Sequence, residues 1–274
     1  MIDAKIIKDS INVAGKRITT MQIVFQRFIL PEFNTHRVFS RNFSSSRAIP
    51  TKVLMEQVQK NPAMPVYWGK NQPGMQAKEE LVGEEYIHAI WEWRMAAQLA
   101  ASIASKLSYY KVHKQIVNRV LEPFLWSTGI VTSTEWDNFF LLRDHTDAQP
   151  EIHALASKMR ETMNNSTPTL LVAGDWHLPY ISKKELLNYS NKLLLKISAA
   201  RCCRVSYLKH DGSSPSIEED LALFNRLAGS VPIHASPLEH QATPNTSEDI
   251  SLEGNFKGWI QYRKVWERKI NACA

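Results

Sequence analysis

The sequence is poor in sulfur and has no long apolar run. Its 274 residues include three cysteines; Cys202 and Cys203 are adjacent and Cys273 is penultimate. No Cys-x-x-Cys occurs, so neither a disulfide frame nor a zinc or other metal site is expected. A reducing compartment, the cytoplasm, is the expected location. No stretch approaches the roughly 20 apolar residues of a membrane span, and Met1–Lys5 does not open an apolar signal segment. Internal repeats and low-complexity tracts are missing too. What remains is ordinary for a globular chain, with 44% hydrophobic and 22% charged residues, long enough to bury a sizeable core. The length allows one large domain or two small ones. The formal net charge of +6 suits an acidic partner, either nucleic acid or a phosphorylated small molecule.

The densest chemistry lies in Thr35-His-Arg-Val-Phe-Ser-Arg-Asn-Phe-Ser-Ser-Ser-Arg47. These thirteen residues hold one His, three Arg, one Asn, four Ser and one Thr, with no acid. The stretch follows Ile18–Phe28, which reads as a strand with Met21, Ile23 and Phe25 on one face and Gln22, Val24 and Gln26 on the other. A short helix is expected at Pro31–Arg37, because proline suits a first helical turn. Donors clustered where a strand–helix unit opens into a loop suit phosphate or nucleotide. A solvated Ser/Arg loop is the alternative, but Phe39 and Phe43 argue against a free loop.

Along the rest of the chain, a strand at Ala4–Ile7 and a turn near Gly15 precede the motif. Residues 51–83, with Pro62, Pro65 and Pro73, read as a partly irregular excursion. Glu84 to about Tyr110 reads as a helix, with Ile87, Ile90, Trp91, Met95, Leu99 and Ile103 as an apolar face. A second helix is expected over Lys111–Leu121, stopping before Pro123, with Val112, Ile116, Val117 and Val120 buried and Arg119 at the edge. Ser127–Thr134 is small and hydroxylic. In the helix Glu135–Arg143, residues Trp136, Phe139, Phe140 and Arg143 share a face. Arg143 must there find an acceptor, either a core carboxylate or a ligand. Helix continues over 151–165, Leu170–Ala173 is a short apolar run, Trp176 and His177 read as loop anchors, and Lys183–Ala200 and Ile217–Leu227 read as helices.

The motif resembles that of the flavin-dependent thymidylate synthases (the ThyX family). That family carries Arg-His-Arg, seven residues and Ser, with Ser-x-Asn-x-x-Ser-x-Arg inside the span. His36, Arg37, Ser40, Asn42, Ser45 and Arg47 fall at those spacings, and Thr35 replaces the first Arg. Asn138, Arg143 and Ala148-Gln149-Pro150-Glu151-Ile152 resemble a second family pattern, in which Asp147 replaces a common His. Ala200-Arg201-Cys202-Cys203-Arg204-Val205-Ser206-Tyr207 and His234-Ala-Ser236-Pro237-Leu-Glu239-His240 resemble two further segments. In most members those two precede the Arg-His-Arg motif. Here residues 198–242 follow it, so the segment order looks circularly permuted, which demands that residues 1 and 274 lie close together.

The resemblance implies a single catalytic domain over residues 1–274 with an α/β (α+β) fold, a sheet flanked by helices, working as a homotetramer with FAD between subunits. It implies methylation of dUMP to dTMP with methylenetetrahydrofolate and NADPH as co-substrates and no cysteine nucleophile. Arg143 would face the pyrimidine N3 as the catalytic residue, stabilising developing negative charge. Glu32, Thr35, Ser45, Ser46, Arg47 and Arg119 would contact the nucleotide, Glu32 standing where the family has Gln. Thr35, His36, Arg37, Asn138, His234 and Ser236 would contact FAD. The departures at Glu32, Thr35 and Asp147 leave open a related enzyme that methylates or hydroxymethylates another pyrimidine nucleotide such as dCMP. A basic nucleic-acid-binding protein is the reading of a different class; dispersed charge and inward aromatics speak against it.

Overall fold

Strand β1 (Asp3–Asn12) turns back at Gly15, whose φ of 74° is left-handed, into β2 (Arg17–Gln26). The structure, a computed structural model, describes residues 1–205, 215–230 and 232–271. Strands β3 (Ser40–Phe43), β4 (Trp126–Ser133) and β5 (Thr169–Leu171) complete a five-stranded sheet in the order β3-β4-β2-β1-β5, antiparallel except for the β1–β5 pair. Strands β6 (Ala242–Pro244) and β7 (Trp259–Gln261) form a separate antiparallel pair. Ten α-helices occur among the described residues: α1 (Leu30–Asn34), α2 (Thr51–Lys60), α3 (Gly83–Tyr109), α4 (Lys114–Val117), α5 (Asp137–Arg143), α6 (Pro150–Asn164), α7 (Lys183–Asn188), α8 (Asn191–Cys203), α9 (Ile217–Ala228) and α10 (Tyr262–Asn271). This is the mixed α/β single domain expected.

The two-residue period of β2 sorts its side chains. Met21, Ile23 and Phe25 are fully buried in an aromatic-rich core with Phe33, Phe39, Trp136, Phe139, Ile152, Leu155 and Met159 from α1, the motif, α5 and α6. On the other face of the sheet, Ile130 meets Cys202 and Val205. A chain of buried polar groups runs there as well. Thr20 Oγ1 lies 2.7 Å from Thr132 Oγ1 and 2.8 Å from His177 Nε2, while Thr132 Oγ1 lies 2.8 Å from His240 Nδ1 and His177 Nδ1 lies 2.9 Å from Ser10 Oγ. Burial pushes the His240 pKa down to about 3 and His177 well below the usual histidine value. Both imidazoles are therefore neutral members of the network, and His177 is the buried anchor expected.

Several elements differ from the sequence reading. Residues 51–60 form α2, pinned by buried Leu54 and Val58, so the irregular part of the excursion shrinks to 61–82. The helix expected over Lys111–Leu121 is instead the single turn α4 followed by a 3-10 segment at Asn118–Phe124 that contains Pro123. Val117 is buried, whereas Ile116 and Val120 are exposed. The hydroxylic run is strand β4, an interior strand between β3 and β2; Gly129 stands there because a Cβ would meet the Phe43 ring at 2.0 Å. Lys183–Ala200 divides into α7 and α8, with α7 opened by a Ser182/Glu185 capping box. The apolar row of α3 does not face its own core: the buried residues are Ala97, Ala101 and Ala104. Ser206 and Tyr207, and the C-terminal residue that permutation would bring near residue 1, lie outside the described residues.

Candidate functional site

The motif loop is fastened on both sides. Its phenylalanines are anchors: Phe39 packs on Trp136 with centroids 4.8 Å apart, and Phe43 sits edge-on to Phe25 and Phe33. Arg41 donates to the carbonyls of His36 and Asn34 at 2.8 and 3.2 Å, closing the loop 34–39 on itself. Asn255 donates from Nδ2 to the Val38 carbonyl at 2.7 Å, and Gln261 Nε2 donates to Ser40 Oγ at 3.2 Å. The far side of the loop is held by Asn118, which donates to the carbonyls of Ser46 and Ile49.

Arg143 ends α5 and reaches the first half of the motif. Its Nε donates to His36 Nε2 at 2.9 Å and its Nη2 to Thr35 Oγ1 at 3.3 Å. His36 is buried against Phe139, with centroids 4.9 Å apart. Burial first, then Arg143 and Arg41, lower its pKa to about 4, so it is neutral and accepts at Nε2. Among the described residues no carboxylate comes within ion-pair distance of Arg143, so its charge is positioned by neutral partners and is not cancelled by contact. It lines a cleft of about 640 Å³ with Glu32, Trp93, Asp147, Gln149 and Glu151. Glu151 accepts from the Val66 amide at 2.9 Å and from Gln149 at 3.1 Å, fastening the excursion to α6 as one wall. Glu32 Oε2 is buried with no hydrogen-bond partner, an acceptor whose isolation is costly unless a ligand satisfies it.

The second half of the motif opens on another cleft, of about 570 Å³. Ser45, Arg47, His113 and Lys114 line it together with His234 and Ser236, and none of its lining residues is acidic. Asn42 also lines it, and its Nδ2 is a buried donor without a partner. Donors and cations without a carboxylate fit a phosphate or pyrophosphate. Cys203 borders this cleft, but burial raises its pKa to about 11; Cys202, fully buried, is raised further. Both thiols are protonated near neutral pH, which disfavours either as a nucleophile.

Glu122 gathers three groups beside the second half of the motif. It accepts from Ser46 Oγ at 2.6 Å and pairs with Arg27 at 3.2 Å and Arg119 at 2.9 Å. Arg119 is therefore half-exposed and tied to Glu122, and Ser46 is buried with its hydroxyl turned to the same carboxylate. Thus the structure brings Glu32, Thr35, His36 and Arg143 to one place, and Ser45, Arg47, His234 and Ser236 to another. Arg37 is exposed. Asn138, five residues before Arg143 and so on another side of α5, lines a separate cleft of about 750 Å³ with Trp136 and Arg160. Sequence reasoning placed Asn42 in the motif without giving it a role, and did not single out His113, Lys114 or Glu122. The basic run Lys111–Lys114 and the acid three residues after Arg119 were the available signals.

Known proteins bear on this arrangement as follows. No curated protein matches the chain. Two crystal structures of a UMP/dUMP methylase, PolB, from Streptomyces cacaoi share part of the architecture. The one bound with 5-Br UMP is 14% identical, covers 60% of this chain and 88% of its own, and has a TM-score of 0.46. The one bound with 5-Br dUMP is 15% identical and covers 60% and 90%, with the same TM-score. Residues 17–169 match the profile of the Thy1 family, described as thymidylate synthase complementing protein. That span runs from β2 to β5 and contains the whole motif, Glu122 and Arg143. The chain belongs to the Thy1 family.

Proposed function

We propose that the chain is a flavin-dependent thymidylate synthase that methylates C5 of dUMP to give dTMP. Methylenetetrahydrofolate is the methylene donor and NADPH the reductant. The observation that carries this reading is Arg143, held by His36 and Thr35 beside a cleft, with no carboxylate in contact. C5 of a uracil attacks weakly until negative charge can build on N3 and its flanking oxygens. A guanidinium fixed in advance stabilises that charge without reorganising at the moment of reaction. The proton displaced from C5 leaves as the new C–C bond forms. The acid-free cleft at Ser45, Arg47 and Lys114 binds phosphate, and Arg119, half-exposed on Glu122, is the further cation assigned to it. The donor set of that cleft also fits the pyrophosphate of FAD, with His234 and Ser236 in its lining; Thr35 and His36, bonded to Arg143, and exposed Arg37 are the other residues assigned to FAD. The bond between the folate nitrogen and the transferred methylene breaks, tetrahydrofolate leaves, and FAD reduced by NADPH would supply the hydride that takes the methylene to a methyl.

Two features support the permuted order and a shared site. The segment His234–Ser236 reaches the motif although it is distant in sequence, and His240 is fastened to β4 through Thr132. The residues assigned to FAD are dispersed over one chain: His234 and Ser236 line one cleft, Asn138 another, and Thr35 and His36 sit at Arg143. A homotetramer in which clefts of neighbouring copies adjoin would unite them. A second reading keeps the flavin and changes the base. Glu32 Oε2 is an unpartnered buried acceptor, and the exocyclic amino group of dCMP would satisfy it.

The test is an absorbance spectrum of the purified protein, with FAD added, followed by titration with dUMP and dCMP. A flavin band that shifts with dUMP supports the thymidylate synthase reading. A shift with dCMP alone moves the chain to the second reading, and no flavin binding under any condition refutes both.

A further inference from the structure

Helix α3 turns its most apolar face away from its own chain. Ala97, Ala101 and Ala104 are buried, while Ile87, Trp91, Met95, Leu99 and Ile103 are 64, 54, 47, 63 and 38% exposed. These five side chains present roughly 500 Å² of apolar surface, at the upper end of what a monomer leaves in water.

We propose that this face packs antiparallel against the same face of a second copy, about a two-fold axis beside Met95. The residues that point with Met95, namely Glu84, His88, Trp91, Leu99, Ser102 and Lys106, follow three- and four-residue steps that are symmetric about Met95, the seam of a shallow helix crossing. Read outward from Met95, that seam is self-complementary. A two-fold axis sets Trp91 against Leu99, His88 against Ser102, and Glu84 against Lys106, all of them exposed. Large side chains thus meet smaller ones on both sides of the axis. Eleven residues are close to three full turns, so Glu84 and Lys106 face the same way as Met95. Neither enters an ion pair with another described residue. Antiparallel packing pairs them at both ends of the contact; parallel packing would set Glu84 on Glu84 and Lys106 on Lys106. A self-complementary patch of this kind gives a closed, isologous pair. A standard interface takes about 800 Å² per partner, so flanking surface beside α3 joins the apolar seam. The inference names a surface for the oligomer proposed above; it stands on the helix and not on the chemistry of the clefts.

The experiment is light scattering of the full chain at micromolar concentration, with cross-linking of Met95→Cys under mild oxidation and the native chain as control for its own cysteines. An even-numbered oligomer is expected. Met95→Cys should give a disulfide-linked dimer, Ser102→Cys none, and His88→Cys with Ser102→Cys should cross-link again. Glu84→Lys should weaken association about tenfold, and adding Lys106→Glu should restore it. An oligomer in which Met95→Cys does not cross-link would overturn this surface and leave the homo-oligomer standing. A monomeric chain would overturn both, while the flavin titration would still decide the chemistry. Met95→Arg, checked for native helix content by circular dichroism, should dissociate the pair; if it misfolds, the cysteine pattern alone decides.

Discussion

Arg143→Ala and Arg143→Lys separate charge from geometry. The native guanidinium spans two acceptors, His36 Nε2 at 2.9 Å and Thr35 Oγ1 at 3.3 Å, which point its remaining N–H groups into the cleft. Alanine removes the charge and both bonds; lysine keeps a point charge that has no planar fork to bridge both acceptors. Loss of a donor aimed at developing charge costs about 10²–10³ in turnover, or about 3–4 kcal/mol. Leaving His36 Nε2 buried and unpaired costs about 1–3 kcal/mol of stability, a fall of roughly 2–4 °C in Tm per kcal/mol for a chain near this size. The fold should therefore survive in both variants. Release of tritium from nucleotide labelled at C5 reports the step directly, because the C5 hydrogen must leave for a methyl to stay. The alanine variant should lose turnover by about 10²–10³ at matched flavin content, and the lysine variant should lie between it and the native chain. Alanine turnover within about threefold of native would refute the electrostatic role.

Further outcomes follow from neighbouring residues. Arg47→Ala and Lys114→Ala should each weaken nucleotide binding by about tenfold, the worth of one charge-assisted hydrogen bond, and flatten its salt dependence; calorimetric titration at two ionic strengths checks this. Glu122→Gln weakens the shared acceptor of Ser46, Arg27 and Arg119 and should cost about 1–2 kcal/mol in denaturant unfolding, with looser nucleotide binding. The His36 pKa is depressed from 6.5 to about 4, so the unfolded chain binds more protons in that interval. Stability should be complete above about pH 6.5 and fall as the pH drops towards 4, by at most about 3 kcal/mol from this residue. His36→Gln, which keeps an acceptor for Arg143, should remove that part of the slope in unfolding curves at pH 4 to 7.

Local pattern sufficed wherever the physics is local. The period of Met21, Ile23 and Phe25 placed β2, Pro31 placed the start of α1 to within one residue although the helix stops at Asn34 and not at Arg37, and the uninterrupted run without glycine or proline placed α3. The spacing of His36, Arg37, Ser45 and Arg47 marked the motif through its resemblance to the family pattern, and the family match covers it. The need of Arg143 for an acceptor was legible in its aromatic helix face, but the acceptor's identity was not. A neutral imidazole more than a hundred residues away is supplied by the packing of α5 on the motif.

The same division explains the misses. Strand β4 read only as a small hydroxylic run, because Gly129 makes room for Phe43 across the sheet and Thr132 bonds the buried His240 and Thr20 behind it. Glu122 is one acid among many until the chain folds Arg27, Ser46 and Arg119 around it. The apolar row of α3 was visible in the sequence, but its direction was not, because periodicity gives the face of a helix and not what lies opposite. By itself the sequence determined the secondary elements with strong periods, the family motif and the residues fit for an anionic ligand. The tertiary structure alone decided which of them share a cleft, which histidines are neutral, and which apolar face is left for another chain. Those outcomes depend on contacts between distant segments, on desolvation and on the neighbours each charge meets, none of which is a property of local sequence.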